Sequence, residues 1–173
     1  MKNRNTKIIK GNLIDMFKDG EVDCIAHQCN TVLISEDCGG IAGVIFKNFK
    51  EAAITNTNEI LTYRQANLSY SLLGKTSGSM GVFNMYSQYK PGHPTTGIDS
   101  MECRLSYLKE ALYTIKDAMY ASGLKSLGIP LIASGLAKQK GFHNMPDLEY
   151  FKRFILPTVK ESTNGIEVKI IVL

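Results

Sequence analysis

The sequence has no apolar run long enough to cross a bilayer. Its longest, such as Ile166 to Leu173, falls far short of the roughly 20 residues that a spanning helix needs, so no membrane partner is expected. No apolar segment follows the basic start Met1-Lys2-Asn3-Arg4, so no signal peptide is expected either, and a cytoplasmic location is the natural expectation. Cysteine pairs at CxxC spacing are missing, as are internal repeats, low-complexity tracts and linkers. The 20 lysines and arginines are scattered rather than clustered, which gives little support to a nucleic-acid groove. A net charge of +4 suits a small anionic ligand without requiring one.

What remains is one ordinary globular chain. A length of 173 residues fits a single domain over 1–173, expected to be monomeric. A domain of this size buries about 70% of the surface that its unfolded chain exposes. Four cysteines occur, at Cys24, Cys29, Cys38 and Cys103, and three of them share a stretch with His27. Zinc sites draw on paired ligands at short spacing on turns. Cys24 and His27 instead belong to one apolar strand and, at odd spacing, face opposite ways. No metal and no cofactor are expected, and the thiols are read as reduced and wholly or partly buried.

Strand and helix patterns alternate along the chain. Thr6–Lys10 reads as a strand, Val22–Gln28 as a second, and Ile41–Phe49 as a helix opened by Gly39-Gly40. Residues 51–71 suggest a helix and then a loop. Leu72–Thr76 and Gly81–Tyr86 suggest a strand pair joined at Ser77-Gly78-Ser79, with a Pro/Gly loop over Lys90–Thr96 beyond it. Met101, Leu105, Leu108, Leu112, Ile115 and Met119 recur at steps of three and four, predicting a helix capped by Asp99 or Ser100 and closed by Gly123. Ser126–Ile132 and Ile166–Leu173 are the last strands. Between them Asp147–Glu161 reads as a helix that Pro157 kinks or shortens. The pattern implies an α/β domain whose mixed, largely parallel central sheet is sandwiched between helices.

In such folds ligands bind beyond the carboxyl ends of strands. Two loops there carry small residues: His27 to Gly43, with Gly39-Gly40-Ile41-Ala42-Gly43 at a helix start, and Ser134-Gly135-Leu136-Ala137. Glycine permits close backbone approach, and a helix N-terminus offers unpaired N–H donors and positive dipole. Side by side, the two loops can clamp a pyrophosphate without metal or arginine.

In this order the segments resemble the macro domains. Gly11-Asn12-Leu13 is similar to the family's Gly-Asp-Ile or Gly-Asp-Leu, and His27-Gln28-Cys29-Asn30 to its Asn-Ala-Ala-Asn. Cys38-Gly39-Gly40-Ile41-Ala42 is similar to its Gly-Gly-Gly-Val-Ala, and Ser134-Gly135-Leu136-Ala137 to its Ser-Gly-Ile-Phe. Asn84-Met85-Tyr86-Ser87-Gln88 looks like the fourth-strand segment that often ends in Gln. The resemblance covers nearly the whole chain and implies binding of ADP-ribose or a derivative. Asn12 and Leu13 would lie at the adenine end, with the Asn12 oxygen accepting from the adenine amino group. Cys38, Gly39, Gly40, Ile41 and Ala42, with Ser134, Gly135, Leu136 and Ala137, would hold the diphosphate. Asn30 would bond the distal ribose. Cys38 replaces a glycine, and Ala137 an aromatic that usually covers that ribose.

Ala26-His27-Gln28-Cys29-Asn30 resembles the branch containing ADP-ribose 1″-phosphate phosphatases. That resemblance implies phosphomonoester hydrolysis, with His27 as nucleophile or general acid, Asn30 orienting the ribose, and Asp37 steering water or the histidine tautomer. Ser35-Glu36-Asp37-Cys38 resembles the terminal ADP-ribose glycohydrolases, but their lysine near Gln88 and aspartate near Ala137 are missing. His143, near Lys138 and Lys140, is a further candidate for the distal phosphate. Three uses of one pocket are therefore expected. They are the phosphatase, an ADP-ribosyl hydrolase acting on protein or nucleic acid, and a non-catalytic binder; nucleic acid enters only as a carrier of ADP-ribose.

Overall fold

The computed structural model describes residues 5–173, and the expectation placed on the basic start Met1–Arg4 lies outside them. The sheet is built from β1 (Thr6–Lys10), β2 (Cys24–Asn30), β3 (Thr76–Ser79), β4 (Val82–Gln88), β5 (Ser126–Ile129) and β6 (Glu167–Val172). Their order is β1-β6-β5-β2-β4-β3. Every neighbouring pair is parallel except β3 with β4. The helices are α1 (Leu13–Lys18), α2 (Gly40–Asn48), α3 (Lys50–Gln65), α4 (Met101–Ser122), α5 (Asp147–Tyr150) and α6 (Leu156–Ser162). The expected mixed, largely parallel sheet between helices is what forms.

Parallel strands need crossover helices, so both faces of the sheet are covered and its central strands β2, β4 and β5 are almost wholly buried. Residues of β2 alternate between the two sides. Cys24 and Ala26 join the core under α4 and α6, with Leu108, Leu112, Ile115 and Val159. Ile25 turns to the core under α1, α2 and α3, with Leu13, Ile45 and Ala52. The α4 periodicity is therefore a burial stripe. Each fully enclosed Leu or Ile there contributes about 1.5–3 kcal/mol.

Several boundaries differ from expectation for local reasons. The small residues Ser77-Gly78-Ser79 lie in edge strand β3 rather than in the turn. The reversal comes after them, at Met80 (φ 52°) and Gly81 (φ 82°), the paired positive angles of a tight hairpin. Strand β5 stops at Ile129 because Pro130 has no N–H to donate. Ser100, not Asp99, caps α4, its hydroxyl accepting from Cys103 N–H at 3.2 Å. Pro157 does disturb its helix: α5 passes through a wide π turn, Phe151–Ile155, before α6 resumes with Pro157 in its first turn. Helix α1 has no counterpart in the patterning; at six residues it is too short for a period to show.

Asp99 has a different task. With Arg104 it forms a buried pair, Nη2 to Oδ2 at 2.7 Å, with side chains 3% and 5% exposed. Burial works against the Asp99 charge, but bonds from Arg104 and from Tyr89 N–H outweigh it and hold the carboxyl below its usual range. Arg104 also donates to the carbonyls of Lys90, Gly92 and His93 and to Gln88 Oε1, so one guanidinium pins the loop after β4. Arg104→Met strands the Asp99 charge and should cost about 3–5 kcal/mol in urea unfolding. A loss below about 1 kcal/mol, the range of exposed pairs, would mean that the cluster contributes little to stability.

Candidate functional site

Beyond the carboxyl ends of β2, β4 and β5 lies a cavity of about 470 Å³. Its walls include Gln28, Cys29, Asn30, Cys38 to Ala42, Gln88, Gly92 and Leu131 to Ala137. A second, more apolar cavity of about 540 Å³, walled by Gly11 to Ile14, Val44, Pro130 and Ile171 to Leu173, adjoins it. Ile41, Leu131 and Asp147 line both, so the two form one continuous cleft.

The two small-residue loops face each other across this cleft. Helix α2 begins behind Gly39, which has no side chain to cap it, and its first turn carries no acid. Its first helical bond runs from Gly43 N–H to Gly39 C=O, leaving the N–H groups of Gly40, Ile41 and Ala42 without helical partners. A Cβ on Gly43 would come within 2.4 Å of the Cys38 carbonyl oxygen, so the loop can fold back on its helix only with glycine there. In the second loop, Ser134 to Ala137, Ala137 N–H donates to Ser134 C=O and Gly135 N–H to Asp147 Oδ1. The N–H groups of Ser134 and Leu136 bond to none of the described residues. Ala133 holds φ 56°, a left-handed geometry costing about 1–2 kcal/mol for a non-glycine. It is fixed there by its N–H bond to Gln28 Oε1 at 2.8 Å. That bond ties the second loop to the end of β2.

Asn30 is 7% exposed, and its Oδ1 accepts from Val32 and Leu33 N–H at 3.0 and 2.8 Å. The amide nitrogen bonds to none of the described residues and remains as a donor in the cavity wall. Asn12 is arranged alike at the other end. Its Oδ1 caps α1 through the N–H groups of Ile14 and Asp15, at 3.0 and 3.1 Å. The acceptor expected toward an adenine amino group is therefore already engaged, and the side chain has donors to offer instead. Leu13 and Ile41 supply apolar wall, and Leu136 stands 83% exposed at the rim.

His27 and Asp37 are not in the cleft. The imidazole is 0% exposed, edge-on to Phe46, with Nε2 2.8 Å from Asn84 Oδ1. The Asn84 amide nitrogen already donates to Ala52 C=O and Ser77 Oγ, so its oxygen is the acceptor and Nε2 carries the hydrogen. Burial pushes the imidazole down to about 4, against a smaller opposing effect of the Asn84 bond. A neutral, enclosed imidazole cannot reach a ligand as nucleophile or acid, and the expected trio of His27, Asn30 and Asp37 is not assembled. Asp37 is exposed, in the 3₁₀ turn Ser35–Asp37, and lines neither cavity. The reason is the strand's alternation, which sends residue 27 into the core and leaves Asn30 at the strand's end.

His27 instead ends a buried polar chain. Asn84 meets Ser77, Ser77 meets Tyr86, Tyr86 donates to Asn56 Oδ1, and Asn56 donates to Ser35 Oγ, tying α3 to the sheet and to the turn before Cys38. Cys38 lines the cleft, its thiol directed at the Leu33 and Ile34 carbonyls. Burial, with Asp37 adding, pushes that thiol up to about 11, so it stays protonated near neutrality. Cys29, another wall residue, is likewise pushed upward by burial. His93 and His143 are exposed and line neither cavity; His93 Nδ1 lies 2.6 Å from the Lys138 carbonyl.

Sequence reasoning missed Gln28, Gly92, Leu131, Ala133 and Asp147 as wall residues. Gln28 had a signal in its place between His27 and Asn30; Asp147, after a long loop, had none. Among the described residues no group of His, Cys, Asp or Glu is arranged to hold a metal, and no helix is long and apolar enough to cross a membrane.

Sheet order, helical layers and facing loops are those of a macrodomain, and this chain has the macrodomain fold. No family model and no curated protein matches its sequence. The likeness lies in solved structures. The macrodomain of Thermus aquaticus DarG aligns at a TM-score of 0.57 and 19% identity, over 97% of this chain and 98% of that one. A mutant Oceanobacillus iheyensis macrodomain gives 0.61 and 14%, over 100% and 87%. Thermosipho africanus DarTG, solved in complex with ADP-ribose, gives 0.60 and 14%, over 98% of this chain and 42% of that one.

Burial of neutral His27 makes stability depend on pH. Between about 4 and its ordinary value of 6.5 the unfolded chain takes up a proton that the folded one refuses. Stability is therefore lost as pH falls from 6.5 toward 4, by about 1.4 kcal/mol per unit and about 3 kcal/mol in all. His27→Gln should flatten this acid limb. Urea midpoints of both proteins at pH 7 and pH 4.5 check it, and equal acid losses would refute the assignment.

Proposed function

We propose that this chain binds ADP-ribose, or a larger group ending in it, without turning it over. The observation that carries this reading is the pair of N–H-bearing loops facing each other in a cleft that continues into an apolar cavity. A diphosphate suits the loops, where the unpaired donors of α2 and of Ser134 and Leu136 neutralise charge with no lysine or arginine among the described wall residues. An adenine suits the apolar cavity between Leu13, Ile41 and Leu131, with the Asn12 amide as donor at its edge. A second ribose then falls between Asn30, Gln88 and Gly92. That a structural neighbour is solved with ADP-ribose supports the ligand class.

Binding is favoured over hydrolysis by the chemistry of the walls. Hydrolysis of a 1″-phosphate or of an ADP-ribosyl bond calls for a group that takes or gives a proton near neutrality. Among the described residues, the ionisable side chains lining the cleft are Cys29, Cys38 and Asp147. Both thiols are raised by burial, and Asp147 is held by Lys138 Nζ at 2.7 Å.

Calorimetric titration with ADP-ribose should give saturable one-to-one binding tighter than ADP or AMP. Absence of heat at millimolar ADP-ribose would end this proposal. Asn30→Asp keeps the oxygen that holds the Val32–Leu33 turn but removes the amide donor. It should bring ADP-ribose affinity down to that of ADP and leave ADP unchanged; undiminished preference for ADP-ribose would remove Asn30 from the ribose site. Incubation with ADP-ribose 1″-phosphate should release phosphate no faster than buffer alone, and sustained colorimetric turnover would make the chain an enzyme.

A further inference from the structure

Among the described residues Asp147 is the one charged side chain lining either part of the cleft, and it is an anion in a place proposed for anions. It stands where the two cavities meet. Its Oδ1 accepts from Gly135 N–H at 3.2 Å and from Lys138 Nζ at 2.7 Å. Gly135 is the centre of the second small-residue loop, so one donor of that loop is already spent on a carboxylate. Lys138 is 7% exposed and also donates to the carbonyls of Met145 and His143, at 2.8 and 3.5 Å. Those carbonyls solvate the ammonium without neutralising it. A lysine so enclosed needs an anion, and Asp147 supplies it. The Asp147 side chain is itself 51% exposed, so it can turn from Gly135 N–H toward solvent while it remains the counter-ion of Lys138.

We propose that Asp147 is an internal occupant of the phosphate position and thereby the residue that sets the cleft's affinity for phosphorylated ligands. In the free protein its carboxylate satisfies Gly135 N–H and Lys138. An incoming diphosphate must displace it from Gly135 N–H or else lie against a like charge. Either way the carboxylate opposes anions and leaves neutral ligands untouched. This rests on reading the cleft as a nucleotide diphosphate site, and its consequence is opposite to that of a merely structural role. If the carboxylate only braced the loop, removing its charge would loosen the loop and weaken every ligand.

The test compares wild type and Asp147→Asn by calorimetry with ADP, ADP-ribose and uncharged adenosine. The amide keeps an acceptor for Gly135 and removes the charge. ADP and ADP-ribose should bind about tenfold tighter to the variant, with adenosine unchanged. The gain should shrink as salt is raised, because screening weakens the charge that was removed. Equal or weaker ADP binding by the variant, with wild-type binding intact, overturns the proposal while the nucleotide reading stands. Failure of both proteins to bind ADP, ADP-ribose or adenosine removes the nucleotide reading itself. In the wild type, ADP titration followed by NMR should move the Gly135 amide and the Asp147 carboxyl carbon together. A carboxyl carbon that stays in place while the amide moves also overturns the proposal.

Discussion

Because β2 is covered by helices on both faces, its side chains alternate between two dry cores, and the cleft depends on how that strand ends. Cys24 and Ala26 settle under α4 and α6, and Ile25 under α1 and α2. His27 faces Phe46, and only from Gln28 onward does the strand reach the cavity. Gln28 then carries the constraint sideways through its bond to Ala133 N–H, holding the second loop in a left-handed geometry opposite the first. Without a strand packed this tightly, two loops separated by about a hundred residues would have no common reference.

Polar groups in this protein do two kinds of work, separated by burial. The chain from His27 through Asn84, Ser77, Tyr86 and Asn56 to Ser35 is buried except at half-buried Ser77, each member answering the next, as a low-dielectric interior demands. The Arg104–Asp99 cluster is likewise closed and holds the loop bearing Gly92 against the cavity. At the cleft the accounting is left open. The backbone N–H groups of Gly40, Ile41, Ala42, Ser134 and Leu136 bond to none of the described residues, and the amides of Asn12 and Asn30 spend their oxygens on turns while keeping their nitrogens. Unmet donors gathered on facing walls are what an anionic, hydroxyl-rich ligand can satisfy.

The histidine shows how a motif and its chemistry part company. Ala26-His27-Gln28-Cys29-Asn30 resembles a catalytic segment residue by residue, yet a strand buried on both faces hides every residue in its interior. Only the residues at its carboxyl end meet solvent. A side chain that stays neutral well below physiological pH serves packing here.

Much was legible in the sequence because it rests on local rules. Alternating apolar strands and helices, the three-and-four spacing of α4, the stop at Gly123, the disturbance at Pro157 and the two small-residue loops are properties of short segments. Their order along the chain determined the layered α/β fold, and with it where a ligand cleft would lie. Tertiary structure decided which of the candidate residues stay out of that cleft and which others join it. Burial on a particular face removed His27, and exposure on a turn removed Asp37. A long loop brought Asp147 back beside Gly135 and Lys138. The burial of His27 against Phe46 and Asn84 and the return of Asp147 to Gly135 join residues that lie apart in sequence, and a local pattern holds no record of which distant partner will satisfy a polar group.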